Sequence, residues 1–199
     1  MAAGPARIGL FGGTFDPIHT AHLEVAEAVR TALDLDRMLL VVANQPWQKE
    51  TERPVTPAED RLAMVEAAIV GWPGLEASGI EIDRGGPSYT IDTVRELHRS
   101  DPDAQVVIVV GSDVVPGLPT WKDETSLRDE ATLAVVSRPG AAQVPPPAGW
   151  EVVEVAVAPS DVSSTELRDM LEAGVSVNGL IPDAVMRCIL QRGLYATRR

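Results

Sequence analysis

Residues 8–13 read Ile-Gly-Leu-Phe-Gly-Gly, and an amphipathic pattern starts soon behind them, with Leu23, Ala26, Val29 and Leu33 on one side of a helix over residues 20–33. The apolar run is a buried strand, and Gly12-Gly13 is a turn where backbone must come close to something. Strand, glycine turn and helix in this order open a parallel crossover unit. Such a unit needs further strands buried on both faces.

The rest of the chain supplies them. Met38-Leu39-Leu40-Val41-Val42, within residues 37–43, is a second buried strand, and Val-Val-Ile-Val-Val, within residues 105–110, is the most apolar run, as a central parallel strand requires. Residues 80–83, Ile-Glu-Ile-Asp, read as a strand, and so do residues 132–137. Residues 151–157, Glu-Val-Val-Glu-Val-Ala-Val, mix charged with apolar residues, which places that strand towards an edge. Helices fall between, and right-handed crossovers follow. Thr56 is the expected N-cap of one, with Pro57 at its first position, Glu59 closing a capping box, and Leu62, Met64, Val65 and Ile69 on its apolar side. A final helix between Pro182 and Gly193 is expected to pack on the sheet. Residues 140–149, with Pro145-Pro146-Pro147, make an exposed, stiff connection.

Composition narrows the function. The 199 residues suffice for one α/β domain with a sizeable core, or for a domain plus a small helical extension, and 45% hydrophobic against 23% charged residues fits a globular chain. A formal net charge of −12 argues against nucleic-acid binding, which needs a basic footprint. No apolar window has the length of a membrane span or a signal segment, so the expectation is a soluble, cytoplasmic protein. The single cysteine, Cys188, lies in an apolar helical pattern and fills core.

The chemistry concentrates at helix beginnings. His19 and His22 sit three apart in the first turn after the glycines, where unpaired N–H groups and the positive dipole end attract anions. Both rings can donate to one phosphate; a solvated pair and a metal pair are the alternatives. Val162-Ser163-Ser164-Thr165-Glu166-Leu167-Arg168 repeats the theme. Ser163 and Glu166 have capping-box spacing, while the second hydroxyl and Arg168 make a phosphate cradle. Gly111-Ser112-Asp113 ends the strand over residues 105–110, where an acidic side chain can hold ribose hydroxyls. Thr90 either caps the helix over residues 91–99 or, with Tyr89, opens an anion-accepting helix end. Trp121 is either a core anchor or a stacking plate for a cationic ring. Residues 44–56 lack apolar periodicity and read as a mobile substrate loop, whose Lys49 is a solvated lysine or a point charge for a phosphate.

The stretch Gly12-Gly13-Thr14-Phe15-Asp16-Pro17-Ile18-His19-Thr20-Ala21-His22 resembles the G-G-[TS]-F-D-P-x-H-x-G-H signature of the nucleotidyltransferases that move AMP from ATP onto a phosphate. Within them it is most similar to the nicotinate mononucleotide (NaMN) adenylyltransferases, and residues 162–168 resemble the same family's I-S-S-T-x-x-R motif. One position departs, because Ala21 stands where the family has glycine and adds a Cβ beside the path of the nucleotide.

The resemblance implies a Rossmann-like, doubly wound parallel α/β sheet forming one nucleotidyltransferase domain over residues 1–199, with residues 160–199 as its C-terminal helical part. It implies that His19, His22 and Arg168 are catalytic. It implies that Gly12, Gly13, Thr14, Phe15, Gly111, Asp113, Ser163, Ser164 and Thr165 join them around ATP. Lys49, Tyr89, Thr90, Trp121 and Lys122 are implied to hold NaMN, the tryptophan by stacking on nicotinate and the N–H of the next residue by meeting its carboxylate. Mg²⁺ is expected on the ATP phosphates with no protein metal site. The partners are ATP and NaMN, without nucleic acid or membrane, and self-association is compatible with all of this. Transfer to another phosphate acceptor, such as NMN or phosphopantetheine, and a nucleotide-binding regulator that has lost catalysis are the competing readings.

Overall fold

The structure is a computed structural model and describes residues 4–46, 54–137, 145, 148–158 and 162–195. Six strands form one sheet: β1 (Arg7–Gly13), β2 (Arg37–Val42), β3 (Leu75–Ser78), β4 (Gln105–Gly111), β5 (Thr132–Ser137) and β6 (Val152–Ala156). Their order across the sheet is β3-β2-β1-β4-β5-β6, and every neighbouring pair is parallel. The chain therefore winds outward in one direction from β1 to β3 and in the other from β4 to β6. The switch lies between β1 and β4, and a crevice opens there beyond the carboxyl ends of the strands.

The continuous apolar runs have a simple origin in the strand period of two. Met38, Leu40 and Val42 of β2, with Val107 and Val109 of β4, face one core, while Leu39, Val41, Val106, Ile108 and Val110 face the other. Helices cover both. The first core receives α1 (Thr20–Ala32) through Leu23, Ala26 and Val29, and α2 (Ala58–Ala68) through Met64 and Val65. The second receives α4 (Thr90–Ser100) through Ile91, Val94 and Leu97, and α5 (Glu124–Glu130) through Leu127. Both α6 (Ser164–Glu172) and α7 (Asp183–Arg192) add Leu167, Val185 and Ile189 to the first core. α7 ends on Gly193 in the left-handed region and lies mainly against α2.

Two expectations are corrected. Residues 80–83 are not a strand: the third strand is Leu75–Ser78, and Ile80–Arg84 forms a short helix, α3. The Ile-Glu-Ile alternation misleads because Glu81 is the buried residue, drawn in by a hydrogen bond from Thr93, while both isoleucines are half-buried. Thr56 does not cap α2. Its N–H donates to Asp16 Oδ2 at 3.3 Å, its carbonyl accepts from Arg61 Nε at 2.7 Å, and Pro57 stands at the N-cap position. Cys188 is half-buried against the first core. Lys49 and most of the proline-rich connection lie outside the described residues. Among the described residues no helix is long and apolar enough to cross a membrane.

Candidate functional site

A cleft of about 710 Å³ opens beyond the carboxyl ends of the strands, at the switch between β1 and β4. It gathers Gly12, Gly13, Thr14, Phe15, His19 and His22 from the first motif, Gly111 and Asp113 after β4, and Ser163, Ser164 and Thr165 at the start of α6. Thr90 and Trp121 line the same space. Ala21 also faces it.

The glycine turn is shaped by what lies beneath it. A Cβ on Gly13 would stand 2.7 Å from the Phe15 ring, which is 2% exposed and cannot yield. Phe15 itself has φ 50°, in the left-handed region that bulky residues seldom occupy. Its ring meets Phe11 edge to face, with centroids 5.8 Å apart, and His22 likewise at 5.1 Å. An aromatic wedge thus fixes the plane of His22 from below.

The two histidines differ in their hydrogen bonding. His19 is the N-cap of α1, and its backbone N–H donates to His22 Nδ1 at 3.2 Å. That bond requires an unprotonated Nδ1, so neutral His22 carries its proton on Nε2. Burial alone pushes the His19 pKa down to about 4, which makes the ring neutral at pH 7. Its Nδ1 is buried without a hydrogen-bond partner. The ring centroids lie 3.8 Å apart. With His19 held neutral by burial, the two closely packed rings sit at this helix start without charge repulsion between them.

Asp16 joins the distant parts of the chain. Its carboxylate is 5% exposed and accepts from the Tyr195 hydroxyl at 2.6 Å, and its carbonyl accepts from Arg168 Nη1 at 2.6 Å. Ser164 Oγ donates to the Pro17 carbonyl at 3.0 Å. These bonds bring the start of α6 against the start of α1, although the two are far apart in sequence. Arg168 also donates to Thr165 Oγ1 at 3.1 Å and stands behind the cleft rather than on its wall. The capping box is present: Glu166 N–H donates to Ser163 Oγ at 3.2 Å and Ser163 N–H to Glu166 Oε2 at 3.0 Å. Anion donors on this side are therefore chiefly the first-turn N–H groups of α6.

Opposite, Tyr89 occupies the N-cap position of α4, and no side chain caps that helix, so Thr90 is not a cap but its first residue. Trp121 packs partly buried against the second core and also lines the cleft, with its Nε1 buried and unpartnered. Tyr89 and Lys122 stand behind the wall. Lys122 Nζ pairs with Asp92 at 2.8 Å and lies 4.7 Å from the Tyr89 ring centroid. Asp113 folds back over Gly111, whose absent side chain leaves the carboxylate its place.

Several residues that shape the site escape a reading of the sequence. Arg61 is 1% exposed, yet its guanidinium donates to the carbonyls of Thr14 at 2.7 Å and Thr56 at 2.7 Å, pinning the glycine turn. A lone arginine in an amphipathic helix gives no hint of this. Asn44 Nδ2 donates to the Gly86 carbonyl at 2.9 Å and Ser88 N–H to the Gln45 carbonyl at 3.0 Å, so the described start of the loop is anchored beside α4. Among the described residues no group of three or more His, Cys, Asp or Glu is arranged to hold a metal ion. The donor set suits phosphates and carboxylates.

Residues 10–170 match the family described as cytidylyltransferase-like. A probable nicotinate-nucleotide adenylyltransferase of Corynebacterium kroppenstedtii is 42% identical over 192 residues, covering 95% of this chain and 90% of that protein. One of Thermus thermophilus is 44% identical over 191 residues, covering 95% and 99%. The structure of Plasmodium falciparum nicotinic acid mononucleotide adenylyltransferase complexed with NaAD superposes with a TM-score of 0.76 at 18% identity, covering 96% of this chain and 97% of that one. The last shares the fold.

Proposed function

The chain belongs to the cytidylyltransferase-like family and, within it, to the nicotinate-nucleotide adenylyltransferases, and from that premise we propose that it transfers AMP from ATP to nicotinate mononucleotide, giving deamido-NAD and pyrophosphate in NAD biosynthesis. The observation that carries the reading is the pair of bonds from α6 to the first motif, Ser164 to Pro17 and Arg168 to Asp16, which turn two helix N-termini towards one cleft.

An NaMN phosphate oxygen attacks the α-phosphorus of ATP, the α–β phosphoanhydride bond breaks, and pyrophosphate leaves. The attacking phosphate is largely ionised at pH 7, since phosphate monoesters have a second pKa of about 6, so no general base is needed. The protein aligns two anions and stabilises charge on the leaving group. His22 Nε2–H and the neutral His19 are read as donors to the phosphates, with Gly12, Gly13, Thr14 and Phe15 shaping the turn. Ser163, Ser164 and Thr165 are read as holding the β and γ phosphates, and Arg168 as lending positive charge from behind Thr165. Gly111 and Asp113 take the adenosine ribose.

Thr90 at the uncapped start of α4 is read as facing the nicotinate carboxylate, and Trp121 as the plate under the cationic ring. Tyr89 and Lys122 support that wall, and Lys49 is assigned to the acceptor phosphate. Mg²⁺ would be held by ATP itself, supplying charge neutralisation between the phosphates; a cleft rich in N–H and O–H donors suits such a loaded nucleotide. Residues 1–199 are taken as one domain, a reading supported by the bonds that Arg168, Ser164 and Tyr195 make to Asp16 and Pro17. The enzyme is read as cytoplasmic; it is also read as acting without nucleic acid, which its net charge of −12 supports.

The test is pyrophosphate release with ATP and Mg²⁺, comparing NaMN, NMN and phosphopantetheine side by side. NaMN is expected to give the highest kcat/KM. Preference for phosphopantetheine would refute the acceptor, and ATP binding without release from any acceptor would favour a regulator.

A further inference from the structure

Strand order divides the cleft in two. Towards β5 and β6 its wall is Val136, Val157 and Ala158 with the start of α6; towards β2 it is Ala43, Pro46, Glu81, Ser88 and Thr90. The proposed function puts the triphosphate on the first side and the acceptor on the second, and the role given to Glu81 rests on that reading. Among the described lining residues, Glu81 is the one charged side chain on the acceptor side, and its sign is wrong for a phosphate or a carboxylate.

This carboxylate is held firmly. Glu81 is 6% exposed, and the fully buried Thr93 hydroxyl donates to its Oε1 at 2.6 Å. Arg84 Nη2 donates to the same Thr93 oxygen at 3.1 Å and stands 3.7 Å from Glu81 Oε1, while its Nη1 is bound to Glu96 at 3.0 Å. The network clamps α3 to the first turn of α4. A fixed, buried carboxylate repels an anionic ligand unless the ligand brings hydrogen-bond donors to it. An acceptor mononucleotide has such donors in its ribose hydroxyls, between the phosphate and the ring.

We propose that Glu81 accepts hydrogen bonds from the ribose hydroxyls of the acceptor mononucleotide, with Thr93 and Arg84 as the residues that position it. The acceptor is then recognised as a nucleotide, and not merely as a phosphate joined to an aromatic acid. ATP, on the other side of the cleft, is outside its reach.

The experiment compares NaMN with its 2′,3′-dideoxy form on the wild-type protein and on Glu81→Gln, whose amide keeps an oxygen for Thr93. Wild type is expected to show a KM roughly tenfold higher for the dideoxy acceptor, as loss of a hydrogen bond to a charged group implies. Glu81→Gln is expected to raise the KM for NaMN by a similar factor, to leave the KM for ATP within about twofold, and to reduce the dideoxy penalty to under about threefold. An equal dideoxy penalty in both proteins, or a parallel rise in both substrates' KM, overturns the inference and leaves Glu81 a brace. If the variant does not fold, wild type alone decides, because an absent dideoxy penalty also overturns it. A wild type inactive on NaMN refutes the proposed function and this inference with it, whereas an active wild type without the penalty refutes the inference alone.

Discussion

Tyr195→Phe removes one oxygen from the bond that ties the C-terminal segment to the first motif. The hydroxyl donates to Asp16 Oδ1 at 2.6 Å, and Asp16 is 5% exposed, so the variant leaves part of a buried carboxylate unsatisfied. Hydrogen bonds to charged groups contribute about 1.5–3 kcal/mol. The Thr56 N–H at 3.3 Å remains on the other carboxylate oxygen, so the loss should fall near the middle, about 2 kcal/mol. For a chain of this size that lowers Tm by about 4–8 °C. Because Asp16 carries the turn leading to His19, the KM for ATP should also rise a few-fold. Burial, and then the Asp16 carboxylate, push the phenol pKa up, so its stabilisation is fully present below its unfolded value of about 10 and is lost only as pH climbs towards the folded value. The stability difference between wild type and variant should therefore be flat from pH 6 to pH 9. Urea unfolding across that range, with ATP saturation curves, measures both. A difference under about 0.5 kcal/mol with unchanged kinetics would refute the tie.

His22→Ala removes a donor aimed at developing charge, and kcat should fall about 10²–10³-fold while the KM for NaMN changes little; steady-state kinetics decide. Gly111→Ala would drive a Cβ into the Asp113 carboxylate, raising the KM for ATP roughly tenfold at nearly unchanged kcat. For His19, a folded pKa of about 4 against 6.5 unfolded means that the unfolded chain binds more protons in the acid range. Wild type should then lose about 2 kcal/mol more than His19→Asn between pH 7 and pH 5, read from denaturant melts at both pH values.

The sheet was largely legible because parallel strands buried on both faces leave unbroken apolar runs, as at Met38–Val42 and Val106–Val110. Leu75–Ser78 was not, since an edge strand paired only with β2 needs little apolar character. Local pattern misled at residues 80–83 for the opposite reason. There a tertiary hydrogen bond buries the glutamate and defeats the alternation. The two helix starts that face the cleft were visible at His19 and Ser163, where the glycine turn and the capping box mark themselves. Their convergence on one cleft was implied by the family resemblance and not by spacing, because it depends on Arg168 and Ser164 reaching the carbonyls of Asp16 and Pro17. The supports of the site, Arg61 beneath Thr14 and Tyr195 on Asp16, act through contacts spanning much of the chain, and no local spacing encodes them.

A crystal structure of the protein with a non-hydrolysable ATP analogue tests the convergence itself. Triphosphate oxygens are expected within about 3.2 Å of both His22 Nε2 and the first-turn N–H groups of α6 at Ser164 and Thr165, with the α-phosphorus open towards Thr90 and Trp121. A triphosphate seated on one helix start and clear of the other would contradict it.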